Sequence, residues 1–368
     1  MAEKYFITLF STVVLIFHFA ACSSITTNHY GQAGIIDADH PYIQYVGRFD
    51  FSNPKKVKFD WPGVYISAKF IGENISIRLN DNSNEYAVVI DNSLPKLLQK
   101  DSTKNIFIIN GLSDSVLHTI TIHKRTETFV GVGEFEGFIL DQGCKLLPPE
   151  KRPERRIEFI GNSITCGYGV EGDSPDCHFR PGTENANLSY AAITSRGLNA
   201  DYHLISYSGR GVVRNYGDSN KTSMDPMPAL YDRICFYDSI SKWDFTKWTP
   251  QVVVINLGTN DFSTQPFPDK NVFQNAYKNL IDRVRNLYPG VAVFCICGPM
   301  IDEPCKSYIK EVIKLDQRGK RDKNIFFVEI PSAVLTDSDW GCDWHPNVSG
   351  MIKIAGILSS EIKARMNW

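Results

Sequence analysis

A segment rich in proline and charge divides the chain into two parts with different hydrophobic patterns. This segment, residues 148–156, reads Pro-Pro-Glu-Lys-Arg-Pro-Glu-Arg-Arg. Proline has no backbone N–H, and charged side chains resist burial, so the stretch suits the core of neither a strand nor a helix. We therefore interpret it as a linker. A length of 368 residues also exceeds what one hydrophobic core usually organises, which favours two domains.

The part before the linker, residues 36–147, has the pattern of a β domain. Apolar and polar residues alternate, which is the period of a half-buried strand. The alternation is clearest at 57–61, 75–79 and 119–123. Clusters of turn-forming residues separate these runs, and short strands at this spacing predict a β-sandwich of the jelly-roll type.

The part after the linker, residues 157–368, alternates between apolar runs and helical patterns. The apolar runs lie at 157–160, 202–206, 252–257, 291–296 and 325–330. Strands that are apolar on both faces are typical of parallel sheets covered by helices. Helical periodicity is clearest at 272–287, 308–315 and 349–366. The pattern predicts a three-layer α/β/α domain with a doubly wound parallel sheet, which binds ligands at the carboxyl ends of its strands.

Three short motifs are predicted to lie at that edge of the sheet. They are Gly-Asn-Ser at 161–163, Gly-Thr-Asn-Asp at 258–261 and Asp-Trp-His-Pro at 343–346. Ser163 is a candidate nucleophile. A serine in such an isolated motif more often caps a helix, and its hydroxyl needs an imidazole to remove the proton.

The histidines narrow the choice of a general base. The second domain contains three of the eight: His178, His203 and His345. His203 lies within a strand pattern, which favours a packed core residue, and His178 lies in a loop insertion at 171–187 that we expect to form one wall of the cleft. Only His345 lies at a strand end before a helix, so we predict that it is the base.

A catalytic histidine needs an acceptor on its second nitrogen, and the sequence offers several. Asp343 is two residues upstream of the histidine. Asp339 and Asp337 are weaker candidates, and a main-chain carbonyl could serve instead. At this point the choice is open.

The developing alkoxide needs hydrogen-bond donors that are set in advance. Asn260 can supply a side-chain amide from the loop after the third strand, although an Asx turn is the alternative. Gly209 ends the second strand within 206–211 and can supply a backbone N–H, although a plain flexible turn would look the same.

These residues resemble a known family. Ser163, Gly209, Asn260 and His345, in this order, resemble the four-block pattern of the SGNH (GDSL-like) hydrolases over residues 156–368.

Longer strings narrow the resemblance. Residues 161–169, 241–245 and 258–263 are similar to carbohydrate esterase family 2, in which a jelly-roll domain precedes the hydrolase domain. The resemblance implies a serine esterase that removes O-acetyl groups from plant polysaccharides such as xylan or glucomannan, without a metal or organic cofactor.

The resemblance also assigns roles to residues. It implies Ser163 as nucleophile, His345 as base, and an oxyanion hole formed by the Ser163 N–H, the Gly209 N–H and the Asn260 side chain. The superfamily's aspartate usually lies three residues before the histidine, where this chain has Cys342. A triad with Asp343 therefore competes with a Ser–His dyad supported by a main-chain carbonyl.

Aromatic residues near the motifs are candidates for a sugar-binding surface. They are Phe262, Trp340 and Trp344. Each could equally belong to the hydrophobic core, and we expect that at least one does.

The first 22 residues have the pattern of an export signal. Lys4 precedes an apolar run at 6–19, and small residues come directly before Cys22, as in a bacterial lipoprotein signal. We expect a periplasmic or outer-membrane lipoprotein anchored through Cys22, with simple secretion as the alternative.

Nine cysteines fit an exported chain. A disulfide between Cys166 and Cys177 would brace the segment after Ser163. Cys295 and Cys297 alternate along a strand, which favours buried thiols over a zinc site.

Charge excludes one class of partner. Basic and acidic residues are mixed along the chain and give a net charge of −2 at pH 7, so nucleic-acid binding has no support. Besides deacetylation of plant polysaccharide, two functions stay open: an esterase acting on acetylated bacterial wall glycan or other acyl esters, and a non-catalytic carbohydrate-binding lipoprotein.

Overall fold

The computed structural model describes residues 34–91, 93–98, 105–113, 116–320 and 323–368. The predicted export signal, including Cys22, lies outside the described residues. Within them, two antiparallel sheets precede a parallel sheet that is flanked by helices. No helix in this part of the chain is long and apolar enough to cross a bilayer.

The first half of the described chain folds into a sandwich of two sheets. One sheet has the order β1-β10-β5-β8, with β3 also paired to β10, and the other has the order β11-β4-β9-β6-β7, with β2 also paired to β4. The strands are β1 (Gly34–Asp37), β2 (Gln44–Val46), β3 (Val57–Phe59), β4 (Tyr65–Ile71), β5 (Ile75–Asn80), β6 (Tyr86–Ile90), β7 (Lys96–Leu97), β8 (Ile106–Ile109), β9 (Leu117–Lys124), β10 (Gly133–Leu140) and β11 (Lys145–Leu147).

The alternation of the sequence explains why these strands form a sandwich. In β4 every second side chain is buried, namely Ile66, Ala68 and Phe70, and the residues between them are partly exposed. Burying one face of each sheet against the other removes these side chains from water. The predicted β-sandwich is therefore confirmed.

The second half folds into a parallel sheet with the strand order β13-β12-β14-β15-β16. Its elements are β12 (Arg155–Gly161), α1 (Ser163–Cys166), α2 (Tyr190–Gly197), β13 (Ala200–Ser206), α3 (Met227–Leu230), β14 (Val252–Asn256), α4 (Thr259–Phe262), α5 (Lys270–Leu287), β15 (Ala292–Cys297), α6 (Cys305–Lys320), β16 (Ile325–Glu329) and α7 (Val348–Met366).

Helices cover both faces of this sheet, as the doubly wound prediction requires. Phe159 of β12 packs in the core beneath α2 and α7. The next residue, Ile160, belongs to the core that includes residues of α5 and α6. Successive side chains of a strand point to opposite faces, so each apolar strand is covered by helices on both faces of the sheet. The three-layer prediction is confirmed.

The first parallel strand begins at Arg155, two residues before its predicted start at residue 157, so it includes the last two residues of the predicted linker. Arg155 and Arg156 pair with Ala200 and Asp201 of β13. Charged residues are tolerated here because the strand is only starting, and the Arg155 guanidinium donates to the carbonyl of Leu198 at 2.8 Å.

The two halves share one continuous apolar core and a buried ion pair. Arg48, from the loop after β2, donates to Glu158 of β12 at 3.3 Å and to the carbonyl of Arg233 at 2.9 Å. Both charged side chains are fully buried. Removing either partner would leave the other charge buried without its counter-charge, so a change at this contact between the two halves is expected to be destabilising.

Candidate active site

The register of the parallel sheet brings the predicted site residues to one edge. Gly161, the last residue of β12, lies beside Ser206 at the end of β13 and beside Asn256 at the end of β14. Ser163 follows the end of β12, Gly209 follows the end of β13, and Asn260 follows the end of β14. This is the carboxyl edge at which such sheets bind ligands.

Ser163 is the first residue of α1. The cap of this short helix is Asn162, whose side chain accepts from the Ile164 N–H at 3.2 Å, so the Ser163 hydroxyl is not used as the cap. A Cβ atom on Gly161 would lie 2.0 Å from Thr165 Oγ1. Only glycine allows the strand to end this close to the helix.

His345 contacts Ser163 directly. Its Nε2 lies 2.8 Å from Ser163 Oγ, and its Nδ1 lies 3.0 Å from the main-chain carbonyl oxygen of Asp343. A carbonyl can only accept, so Nδ1 carries the proton and Nε2 is the free acceptor for the serine hydroxyl. Desolvation lowers the pKa of His345 to about 4, which keeps the ring neutral at neutral pH.

The carboxylate of Asp343 is occupied elsewhere. It lies 2.8 Å from His178 Nδ1 and accepts from Tyr168 OH at 2.6 Å and from the Phe179 N–H at 3.1 Å. Asp343 therefore meets His345 through its main chain and braces the 171–187 insertion through its side chain. This is the main-chain alternative that the sequence left open.

The other two acidic candidates do not contact His345. Asp339 is fully buried and accepts from Lys353 Nζ and Ser349 Oγ, and these partners hold the pKa of its carboxyl well below its usual value. Asp337 is exposed at the start of a 3₁₀ turn.

The turn before His345 is held in an unusual conformation. Asp343 and Trp344 have φ angles of 52° and 57°, the left-handed region that side chains rarely adopt. A disulfide joins Cys342 to Cys177 in the insertion, and the Gly341 N–H donates to the His345 carbonyl at 2.7 Å. These bonds hold the carbonyl of Asp343 towards the imidazole.

The disulfide considered between Cys166 and Cys177 does not form. Helix α1 directs Cys166 into the protein, where it is fully buried and its thiol lies 3.3 Å from Ser206 Oγ. Cys177 lies instead over Cys342, 165 residues away in sequence. Spacing along the chain carried no signal for this pairing.

Asn260 and the loop after β13 are joined to each other. The Asn260 side-chain amide donates to the Arg210 carbonyl at 2.8 Å, which uses one of its two hydrogens. Gly209, one residue earlier, has a φ of 77°. The remaining amide hydrogen, the Gly209 N–H and the Ser163 N–H are the candidate donors to an oxyanion at this edge.

Asp261 binds the backbone of the same loop after β13. Its carboxylate accepts from the N–H groups of Val212, Val213 and Arg214 at 2.8 to 2.9 Å. A Cβ on Gly211 would lie 2.5 Å from Asp261 Oδ2, so glycine is needed for this approach. Asp261 directly follows Asn260 in its motif, but no sequence pattern indicated this supporting role.

The aromatic candidates separate into surface and core. Trp344 is 57% exposed, and Trp340 is half-buried with its ring centre 6.2 Å away. Phe262 is only 4% exposed and packs against Phe273 and Tyr308. Phe262 therefore belongs to the core, as expected of at least one of the three, because α4 turns its ring inward, and it is not counted in the sugar-binding surface.

Two further aromatic residues at this edge were missed. Tyr216 is 62% exposed, and its N–H donates to the Gly209 carbonyl at 2.8 Å. Phe129, from the sandwich, contacts the rings of Phe179 and Tyr207. Tyr216 lies in a loop without periodicity, and Phe129 lies in the other domain, so neither had a local sequence signal.

His203, Cys295 and Cys297 are buried residues of the core, as predicted from their positions in strands. His203 stacks on Trp248 with ring centres 3.7 Å apart, and burial lowers its pKa well below the usual value. Cys295 and Cys297 are buried in β15. Neither group adds a reactive centre at the carboxyl edge.

Among the described residues, one set of side chains is close enough to share a metal ion. It comprises Glu127, Cys166 and Glu184, whose potential ligand atoms lie within 4.8 Å of one another. All three are fully buried, and their hydrogen bonds to neighbouring groups are described below.

Comparisons with known proteins identify the family of both domains. Residues 45–149 match the sequence profile "Carbohydrate esterase 2 N-terminal", and residues 159–351 match that of the GDSL-like lipase/acylhydrolase family. The structure superposes with a TM-score of 0.82 on an active-site mutant of a family two carbohydrate esterase from Clostridium thermocellum, in complex with a cello-oligosaccharide. The two are 40% identical, over 89% of this chain and 100% of that one.

Two curated proteins are similar along most of the sequence. The cellulase/esterase CelE of Acetivibrio thermocellus is 42% identical over 90% of this chain, which spans 40% of the length of CelE. An acetylxylan esterase/glucomannan deacetylase of Cellvibrio japonicus is 28% identical over 85% of this chain and 87% of its own length. The chain belongs to the GDSL-like lipase/acylhydrolase family and, within it, to the family 2 carbohydrate esterases.

Proposed function

We propose that this protein is a serine esterase that removes O-acetyl groups from plant cell-wall polysaccharide such as xylan or glucomannan. The observation that carries the proposal is the 2.8 Å contact between Ser163 Oγ and His345 Nε2, with Nδ1 held by a carbonyl. The names of the Cellvibrio and Acetivibrio relatives support the substrate class. We assign residues 36–147 to the sandwich domain and the chain after the linker to the catalytic domain.

The geometry suits acetyl transfer to Ser163. As Ser163 Oγ attacks the acetyl carbonyl carbon, its proton passes to His345 Nε2. The carbonyl oxygen becomes an oxyanion that accepts from the N–H groups of Ser163 and Gly209 and from the Asn260 amide. The imidazolium then protonates the sugar oxygen as the bond between that oxygen and the acetyl carbon breaks, so the sugar leaves with a free hydroxyl.

Deacylation repeats these steps with water. His345 Nε2 removes a proton from water, whose oxygen attacks the acetyl-Ser163 carbonyl. The second tetrahedral intermediate expels Ser163 Oγ, which recovers its proton from His345, and acetate leaves. In both halves the Asp343 carbonyl dipole stabilises the imidazolium, where a triad would use a full negative charge.

The desolvation of His345 predicts activity at acid pH. Protonated His345 cannot accept the Ser163 proton, so kcat/KM is lost as the pH falls through the pKa of the free enzyme. With that pKa lowered from 6.5 to about 4, we expect an acid limb centred near pH 4 when acetate release is followed across the pH range. A midpoint at 6.5 or above would contradict this expectation.

We propose that Trp344, Trp340 and Tyr216 form a stacking surface for sugar rings. Trp344 directly precedes His345, and an exposed indole suits the apolar face of a pyranose. We expect Trp344→Ala to lower kcat/KM for acetylated xylan by about tenfold more than for 4-nitrophenyl acetate, because the small ester has no sugar to stack. Equal losses on both substrates would argue against the surface and for a disturbed His345.

Acetate release from a panel of polymers tests the proposed function. The panel contains acetylated xylan, acetylated glucomannan and acetylated peptidoglycan, with Ser163→Ala protein as the control. Release from the plant polymers alone is the expected result. Release from peptidoglycan alone would support the bacterial-wall alternative, and binding without any release would support a carbohydrate-binding lipoprotein.

We further propose that the first 22 residues direct export and that Cys22 carries the lipid of a periplasmic or outer-membrane lipoprotein. The small residues before Cys22 and its place after an apolar run support this assignment. Mass spectrometry of the mature N-terminus distinguishes a lipidated Cys22 from simple cleavage and secretion.

A further inference from the structure

A carboxylate from the sandwich domain lies directly beneath the proposed oxyanion hole. Glu127 comes three residues after β9 and is fully buried. Its Oε2 accepts from the Ser208 N–H at 2.7 Å, and its Oε1 accepts from the Ser208 hydroxyl. Both oxygens are thus bound by the residue that immediately precedes Gly209.

The surroundings of Glu127 keep it an acceptor. The Glu127 N–H donates to Glu184 Oε2 at 2.9 Å. Burial raises the pKa of Glu127, and burial beside Glu127 raises the pKa of Glu184 well above its usual value, so the proton of the pair belongs on Glu184. Both Glu127 oxygens then serve as acceptors for Ser208. The third member of this cluster is the Cys166 thiol, whose Sγ lies 3.6 Å from Glu127 Oε2.

The oxyanion loop is therefore anchored on both sides of Gly209. On one side Glu127 holds Ser208, and on the other the Asn260 amide holds the Arg210 carbonyl. Asp261 fixes the segment that follows. The N–H of Gly209 lies between an anchor from the sandwich and an anchor from the hydrolase domain.

Loss of the sandwich anchor would free one end of this loop. The Ser208 N–H and hydroxyl would lose their acceptor in a place where little water can replace it. Oxyanion donors must already point at the developing charge, and a misplacement of about 1 Å can cost on the order of 10² in rate. The position of the Gly209 N–H thus depends on a residue of the other domain.

We propose that Glu127 is a positioning residue for the oxyanion hole, and that it acts through Ser208 to orient the Gly209 N–H. The inference rests on the proposed esterase function and deepens it. It makes the sandwich part of the catalytic unit, because the loop after β9 supplies a support that the hydrolase domain lacks.

Kinetics of Glu127→Gln with 4-nitrophenyl acetate test the proposal. Glutamine keeps the shape of the side chain but replaces one acceptor oxygen with an NH2 donor. Ser208 then loses one of its two acceptors, either that of its N–H or that of its hydroxyl. Oxyanion contacts act in the transition state, so we expect kcat to fall by about tenfold or more while KM changes less than about twofold.

A matched control separates positioning from general weakening of the domain interface. Arg152 donates to Asp201 at 2.6 Å and to the Tyr45 carbonyl at 3.3 Å, at the opposite, amino end of β13. Arg152→Gln likewise removes charge-assisted hydrogen bonds, here from the linker to the sandwich and to the hydrolase domain. We expect it to keep wild-type kcat and KM, even where its melting temperature falls as far as that of Glu127→Gln.

Each outcome decides the proposal. A folded Glu127→Gln protein with kcat within about twofold of wild type overturns it, and so does an equal loss of kcat in Arg152→Gln. If Glu127→Gln does not fold, Ser208→Ala decides: a loss of kcat of about threefold or more at unchanged KM supports the proposal, and wild-type kcat overturns it. Wild-type protein without turnover would overturn the esterase function as well, whereas an active wild type with an unaffected variant overturns only this inference.

Discussion

Ser163→Ala protein is expected to lose kcat for 4-nitrophenyl acetate by about 10⁴-fold or more. The variant removes the hydroxyl that His345 Nε2 contacts at 2.8 Å, so neither attack nor acetyl-enzyme formation can proceed. The fold should survive, because the cap of α1 is Asn162. Steady-state kinetics, a thermal melt and mass spectrometry for the acetylated protein check the three parts of this expectation.

A double variant provides the control for this prediction. Residues that act as one unit give losses that do not add, so Ser163→Ala/His345→Ala should be no slower than Ser163→Ala alone. A Ser163→Ala protein that retains more than about one hundredth of wild-type kcat would contradict Ser163 as nucleophile.

Asn260→Ala is expected to lower kcat by about 10²–10³-fold with little change in KM, because its amide meets the oxyanion only in the transition state. Part of the loss comes through the loop, since the amide also holds the Arg210 carbonyl. Rates are measured with 4-nitrophenyl acetate and with acetylated xylan, and the two should fall together because the acetyl group is common to both.

Ser263→Ala is the matched control for Asn260→Ala. Ser263 follows α4 directly, and its hydroxyl donates to the Thr259 carbonyl at 2.5 Å, so the variant removes a side-chain hydrogen bond of the same short helix. It should retain kcat. If both variants lost the same rate, the effect of Asn260 would be a property of the helix and not of the oxyanion.

The sequence predicted those features that have a local pattern. Alternation predicted the sandwich, and apolar runs between helical periods predicted the parallel sheet. Ligands bind at the carboxyl ends of parallel strands, so the predicted strands were enough to place Ser163, Gly209 and Asn260 at one edge of the sheet. His345 followed by elimination, because the other histidines lay in strands, in an insertion or in the first domain.

What the sequence could not predict depends on the folded path of the chain. The pairing of Cys177 with Cys342 spans 165 residues, and no spacing rule selects it. Phe262 reads as exposed beside a reactive motif, yet the short helix α4 turns it inward. Glu127 is invisible for a further reason: its partner Ser208 belongs to another domain, and one glutamate in a β-rich segment has no distinguishing neighbours.

The acceptor of His345 is a main-chain atom, and this changes what variation can reveal. Every residue has a carbonyl, so no missense change at position 343 removes the group that orients the base, unless it alters the left-handed turn. We therefore expect an alanine scan of the carboxylates to find no third member of the catalytic set. The same arrangement releases the side chain of residue 343 for a separate task, and a survey of homologues should find that position varying with the insertion it braces and not with the catalytic histidine.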